Sequence, residues 1–240
     1  MVSQDEILKY CSLDGFLRRH SFNSKPVTIS DLEVGCRTFE AKEPRDSMYR
    51  VSTFLVREWW GDPPRLVEAL SVLLLVWNSA FYRYGGFNEE LLEDCLRENQ
   101  LTINSFRGRD LSTFNEEDHA DSQRLFISLS TALKRASDGV ESPVSAGKTL
   151  HLLAPDFFPL WDQYIASAYR CPYINEVPSV AYIAFCQRIR KVAISLRSEI
   201  TCDPSPRRDW LLKKTLLKRI DEYNYVTYTL PNLSSARNRE

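Results

Sequence analysis

The stretch from about residue 64 to residue 84 constrains the fold more than any other part of the chain. Asp62 followed by two prolines predicts a helix N-cap with proline in the first turn. Apolar side chains then cover nearly every face of the predicted helix: Leu66, Val67, Leu70, Val72, Leu73, Leu74, Leu75, Val76 and Trp77. A helix that is apolar all round is buried, so we place this one at the centre of the fold. Gly85 and Gly86 are expected to end it.

Helical periodicity also dominates the rest of the chain. Further helices are predicted over about 4–20, from the capping box Ser30–Glu33, over 48–59, over 88–98, over 120–137, from Pro178 onward and over 207–222. The stretch 99–119 is predicted as a polar loop, Tyr225–Thr229 as the one plausible strand, and 231–240 as a loose tail. With only 8 glycines in 240 residues, a sheet rich in tight turns is disfavoured. We therefore expect an all-α fold over 1–230, either one compact domain or two lobes around a cleft.

Charge and cysteine content narrow the functional classes. The net charge is −1, but residues 181–240 carry 12 Lys and Arg against 6 Asp and Glu. This basic quarter could face phosphates, or it could be ordinary solvated helix surface. The six cysteines include no CxxC pair, so we expect no metal and no cofactor. No apolar run is long enough for a membrane span and no secretory signal is visible, so we expect a cytoplasmic monomer.

The segment 142–170 carries the functional signal. Small residues over Val144–Gly147 predict a tight turn, followed by a basic helix start over Lys148–Leu153 that Pro155 ends. Pro159-Leu-Trp then leads to Asp162 at the head of another helix, Gln163–Tyr169. Backbone N–H groups in a turn of small residues can approach a phosphate closely, and a helix start adds its dipole. The pattern therefore predicts an anion-binding turn followed by a carboxylate.

This segment resembles the helix-hairpin-helix DNA glycosylase superfamily over about 30 residues. Pro143 matches the proline of the hairpin, Lys148-Thr149 matches its Lys-Thr pair, and Pro159–Asp162 resembles the motif of the catalytic acid. The chain departs from the pattern where Val144 and Ala146 stand at the hairpin glycines. It also departs in the short spacing between Lys148 and Asp162.

The resemblance implies a DNA glycosylase, with or without lyase activity, whose partner is double-stranded DNA containing a damaged or modified base. Asp162 would stabilise positive charge on the sugar, and Lys148 could instead attack the anomeric carbon to form a Schiff base. Ser145, Ala146, Gly147 and Thr149 would contact the DNA backbone, together with Asn78 and Arg83 near the end of the central helix. The extruded base would enter a pocket formed by Trp161, Trp77, Tyr82 and Tyr164.

Each of these residues also has a purely structural interpretation. Asp162 could simply cap its helix, Lys148 could be a surface lysine, and the tryptophans could belong to the core. His151 is expected to be a partly buried structural histidine. A non-catalytic hairpin DNA-binding module and a helical protein-interaction adaptor therefore remain alternatives. The excised base, and the choice between repair and defence against phage DNA, stay open.

Overall fold

The computed structural model describes residues 12–23, 26–43, 46–202, 210 and 213–237. Its α-helices are α1 (Leu13–Arg19), α2 (Ile29–Lys42), α3 (Asp46–Glu58), α4 (Pro63–Trp77), α5 (Ser79–Tyr82), α6 (Glu89–Glu98), α7 (Gln100–Phe106), α8 (Glu117–Ala132), α9 (Pro143–Leu153), α10 (Gln163–Ala168), α11 (Pro178–Cys202), α12 (Leu216–Asn224) and α13 (Leu230–Arg237). These described parts contain no strand, only an isolated bridge between Phe87 and Arg135. The predicted all-α fold is confirmed.

Helix α4 occupies the central position that its all-round apolar sequence predicts. Its N-cap is Asp62, whose side chain accepts a hydrogen bond from the Arg65 amide. Leu70 and Leu73 are completely buried where α4 packs against α3, α6 and α9. The helix is shorter than predicted, because it ends at Trp77 with Asn78 as its C-cap before the short α5 begins. This break places the polar side chain of Asn78 and the carbonyl groups of the last turn of α4 inside the molecule.

Several predicted boundaries are wrong. The predicted loop 99–119 contains α7, a 3-10 turn at Leu111–Thr113 and the start of α8. The capping box of α2 is formed by Thr28 and Asp31 instead of Ser30 and Glu33. The predicted strand Tyr225–Thr229 is a π-helical turn that joins α12 to α13, and residues 231–237 of the predicted loose tail belong to α13. Predictions for 4–11, 207–209, 211–212 and 238–240 lie outside the described residues.

Three cations of the basic C-terminal quarter, Arg188, Lys218 and Arg219, are buried inside the protein. Lys218 is completely buried and its Nζ lies 2.9 Å from Asp221 Oδ2. Arg219 is also buried, with Nη1 2.9 Å from Glu222 Oε2. Arg188 donates hydrogen bonds to the backbone carbonyls of Tyr169 and His20. Because a buried charge is costly without a partner, these three cations are held by contacts within the protein and are not free to neutralise phosphates.

The predicted anion-binding turn at Val144–Gly147 is wrong, because a single helix, α9, runs from Pro143 to Leu153. Its N-cap is Ser142, whose hydroxyl accepts a hydrogen bond from the Ser145 amide. The four residues expected to contact the DNA backbone are all buried in this helix: Ser145, Ala146, Gly147 and Thr149. Ser142 and Pro143 together give the better helix start, and α9 begins five residues earlier than the predicted start at Lys148.

Close packing explains why residue 147 is glycine. A Cβ atom added there would lie 2.7 Å from both Cδ1 and Nε1 of Trp161. Real Cβ atoms essentially never approach a ring this closely, so any side chain would push the indole away. The contact joins α9 directly to the segment that precedes α10.

We predict that Gly147→Ala lowers the free energy of unfolding by about 1–3 kcal/mol, because the added methyl overpacks the contact with Trp161. Chemical denaturation measures the change. Gly86→Ala is the matched control, since its new Cβ would meet only Leu75 Cδ2 at 3.9 Å. Equal stability of the two variants would contradict the proposed contact.

His151 gives a second test of the core. It is fully buried, its Nδ1 lies 2.8 Å from the carbonyl oxygen of Phe158, and its Nε2 lies 2.9 Å from the Tyr49 hydroxyl. A carbonyl can only accept, so we assign the neutral tautomer in which Nδ1 donates and Nε2 accepts from Tyr49. Burial lowers the pKa of His151 to about 3.

Because the unfolded chain takes up a proton at His151 near pH 6.5 and the folded protein does not, this residue stabilises the fold above that pH. The stabilisation is lost as the pH falls toward 3. Between pH 7 and pH 5 we expect His151 to contribute a loss of about 2 kcal/mol in unfolding free energy. Denaturation of the wild type and of His151→Gln at both pH values measures this difference, and parallel losses in the two proteins would refute it.

Candidate active site

A cavity of about 560 Å³ opens where the C-terminal end of α4, the first turns of α9 and α10, and the π-helical turn meet. Six of the residues singled out from the sequence line it: Trp77, Asn78, Lys148, Trp161, Asp162 and Tyr164. The volume lies within the range of small-molecule sites and is large enough for a nucleobase. The structure thus brings the predicted amine, carboxylate and most of the predicted aromatic side chains into one pocket.

Lys148 reaches the pocket from a buried position on α9. Only 7% of its surface is exposed, and its Nζ donates hydrogen bonds to the Asn78 side-chain carbonyl and, at 3.3 Å, to the backbone carbonyl of Trp77. The ammonium also lies 5.6 Å from the centre of the Trp77 ring. Carbonyl groups at a helix C-terminus favour a cation. The end of α4 therefore holds Lys148 in place, which excludes the surface-lysine interpretation.

Asp162 is both the N-cap of α10 and a wall of the pocket. Its Oδ1 accepts a hydrogen bond from the Ile165 amide at 2.8 Å, and its Oδ2 accepts one from the Thr229 hydroxyl at 2.6 Å. Burial raises the pKa of the carboxyl, and the charge of Asp221 raises it further. The two hydrogen bonds and the charge of Lys148 act in the opposite direction. The structural role of Asp162 as a cap is confirmed, and its position in the pocket is compatible with a second role.

The aromatic residues divide between the pocket and the core. Trp77 stacks on Tyr49 with ring centres 6.0 Å apart. Its ring also lies near the Lys148 ammonium and lines the pocket. Trp161 is almost completely buried, and its Nε1 donates to the Pro143 carbonyl. Trp161 therefore packs behind the pocket as a core residue, which agrees with its structural interpretation.

Besides the four buried residues of α9 described above, two further predicted residues do not line the pocket. Tyr82 is buried and its hydroxyl donates to the Leu133 carbonyl at 2.8 Å, so its assignment to the base pocket is wrong. Arg83 is exposed and directly follows α5, whose residues Ser79–Phe81 line the pocket. Asn78 lies between these groups, because its Nδ2 donates to the Ser145 hydroxyl while its carbonyl accepts from Lys148.

Sequence reasoning missed the wall that the C-terminal part of the chain contributes. Asp221 and Tyr225 line the pocket from α12 and the π-helical turn, and Glu43 follows the end of α2. The extra residue in a π-turn changes which side chains face inward, and such turns occur often at functional sites. Here it directs Thr229 to Asp162. The sequence indicated only a helix over 207–222 and a strand at Tyr225–Thr229, so it carried no signal for this wall.

A second cavity, of about 1020 Å³, lies beside α3 and is lined by charged residues, among them Arg50, Asp46 and Lys214. It is larger, but none of the predicted site residues lines it. Among the described residues, no group of histidine, cysteine and acidic side chains is arranged to hold a metal ion. None of the helices described is long and apolar enough to cross a membrane.

Comparison with protein-family models, with curated proteins and with solved structures found no match for the chain. The interpretation of the site therefore depends on the chemistry of its own residues.

We predict that Thr229→Val raises the pKa of the Asp162 carboxyl, because it removes a hydrogen bond that stabilises the ionised form. NMR titration of the carboxyl carbon measures the shift. Thr229→Ser keeps a hydroxyl and should leave the titration close to that of the wild type. An unchanged pKa in the valine variant would show that Thr229 does not act on Asp162.

Proposed function

We propose that this protein is a DNA glycosylase that receives an extruded, damaged or modified base in the pocket and hydrolyses its N-glycosidic bond. The observation that supports this most is the convergence of Lys148 and Asp162 in one cavity that has aromatic walls and is large enough for a nucleobase. The two residues lie on different elements, and neither a capping role nor a packing role requires them to meet.

In the proposed reaction the bond between the base and C1′ of the sugar breaks, and its electron pair leaves with the base. Positive charge develops on the sugar ring, and the ionised Asp162 carboxylate stabilises it before water attacks C1′. Water supplies a hydroxyl to C1′, and its proton is released to the base or the solvent. Because burial raises the pKa of Asp162, this ionised form and the activity should increase as the pH rises.

The contacts of Lys148 favour hydrolysis over a Schiff-base route. A nucleophilic amine must be uncharged, whereas Nζ lies against two carbonyl oxygens, those of the Asn78 side chain and the Trp77 backbone, which favour a charged donor. Both acceptors stabilise the ammonium form. We therefore assign Lys148 an electrostatic role beside the sugar or an adjacent phosphate. With the hairpin turn absent and the Asn78 side chain buried and bonded to Ser145 and Lys148, exposed Arg83 beside α5 is the remaining predicted contact to the DNA backbone.

A panel of duplexes, each carrying one damaged or modified base, tests the proposal, with released base measured by mass spectrometry. We expect release from at least one duplex and a loss on the order of 10²-fold or more in Asp162→Asn, because the stabilising charge is removed. Asparagine is also a good N-cap, so the variant should fold. The control is Asp118→Asn, which changes a carboxylate paired with Arg109 outside the pocket. Full activity of Asp162→Asn would contradict the proposal.

Borohydride trapping separates the two chemical routes on any duplex that releases its base. We expect no covalent protein–DNA product, and Lys148→Met should slow release without changing the type of product. A trapped adduct that disappears in Lys148→Met would instead establish the lyase route.

A non-catalytic DNA-binding module is the second candidate, favoured by one observation. Both carboxylate oxygens of Asp162 already accept hydrogen bonds within the protein, as expected for a purely structural cap. This alternative predicts salt-sensitive DNA binding and no release from any duplex in the panel.

A further inference from the structure

Asp221 is a buried carboxylate of the pocket with only one of its two oxygens bonded to another described residue. Its side chain is nine-tenths buried, and Oδ2 lies 2.9 Å from the Lys218 ammonium. Among the described residues, no hydrogen bond reaches Oδ1, yet this atom is not sealed away from solvent. A carboxylate oxygen in such a place accepts hydrogen bonds and cannot donate them. Its partner is therefore water or a donor group of a molecule that enters the pocket and displaces that water.

The fixed position of Asp221 makes it suitable for recognition. Lys218 is completely buried and is enclosed by the rings of Phe39, Tyr49 and Trp77, with its Nζ 4.4 to 5.0 Å from their centres. This ion pair holds one oxygen of Asp221 and leaves the other in the cavity. Breaking the pair would strand a buried charge, so the carboxylate has little freedom to turn away.

The other charges of the pocket also favour a hydrogen-bond donor over an acceptor in the bound group. Glu43, Glu141 and Asp162 also line it, whereas Lys148 is the only cation among the described lining residues. Lys148 is already directed at the carbonyl groups that end α4. A carbonyl oxygen that enters the pocket beside Asp221 would place two acceptors against each other. An N–H group in the same place would donate a hydrogen bond to the charged carboxylate. The carbonyl group loses the hydrogen bond that the amino group makes, and it leaves the buried carboxylate facing a second acceptor.

We infer that Asp221 determines the specificity of the pocket and selects bases with an exocyclic amino group, of the cytosine or adenine type, over their carbonyl-bearing counterparts, uracil and hypoxanthine. This inference rests on the proposed function, since it assumes that the pocket receives an extruded base. Asp221 accepts a hydrogen bond from the amino group through Oδ1, while Lys218 keeps Oδ2 in position.

Binding of four duplexes tests the inference. Each carries cytosine, uracil, adenine or hypoxanthine opposite an abasic site, so that extruding the base costs no base pair. Fluorescence anisotropy of labelled DNA measures the dissociation constants. We expect the wild type to bind cytosine over uracil and adenine over hypoxanthine, each by about tenfold or more. Equal binding within both pairs, or no binding of any duplex, would overturn the inference.

Asp221→Asn shows whether this residue causes the preference. The amide oxygen can still accept from Lys218, and the NH₂ group then takes the place of Oδ1, so the preference should disappear or reverse toward the carbonyl-bearing bases. Asp118→Asn is the matched control, since Asp118 and Asp221 are both 8% exposed and ion-paired. A preference that survives in Asp221→Asn would overturn the inference. If the variant does not fold, the wild-type ratios decide.

The two proposals fail separately. Release of a base by a protein that binds all four duplexes equally would leave the glycosylase proposal in place and remove the role of Asp221. An amino-base preference that depends on Asp221, without release from any duplex, would support base recognition and remove the chemistry.

Discussion

The contact between Gly147 and Trp161 is the constraint on which the site depends. The indole lies so close to α9 that a methyl group at residue 147 would approach it to 2.7 Å. Lys148 follows this glycine and Asp162 follows this tryptophan, so the packing that joins the two backbones also brings the amine and the carboxylate to one pocket. The Trp161 Nε1 hydrogen bond to Pro143 fixes the ring at the start of the same helix. The packing of the core therefore also sets the positions of Lys148 and Asp162 in the site.

Buried charge forms the second part of this arrangement. Helix α12 carries Lys218, Arg219 and Glu222 into the interior, where each is paired with an opposite charge. The π-helical turn that follows places Thr229 on Asp162. The pocket thus has one wall that depends on the close contact of Gly147 with Trp161, and another that depends on the ion pairs of α12. A pocket with both kinds of wall can hold a flat aromatic group and distinguish the polar atoms at its edge.

The sequence predicted the helices well where their signals are local. The apolar run of α4, its Asp62 cap and the start of α11 at Pro178 all depend on neighbouring residues, and the structure has them as expected. Asp162 at the head of α10 belongs to the same group.

The prediction of a turn at Val144–Gly147 failed because Ser142 and Pro143 begin a helix that small residues do not interrupt. The role of Gly147 depends on a ring 14 residues away, which a local pattern does not contain. Asp221 and Thr229 were missed for the same reason, since only the folded chain brings α12 and the π-helical turn to α10.

Photocrosslinking tests most directly whether this pocket receives a base. A duplex with one 5-iodocytosine opposite an abasic site would be irradiated with the protein, and the crosslinked peptide identified by mass spectrometry. The account predicts crosslinks within Trp77–Phe81 or Asp162–Tyr164, which line the cavity. Crosslinks confined to other faces of the protein, or none with DNA bound, would contradict it.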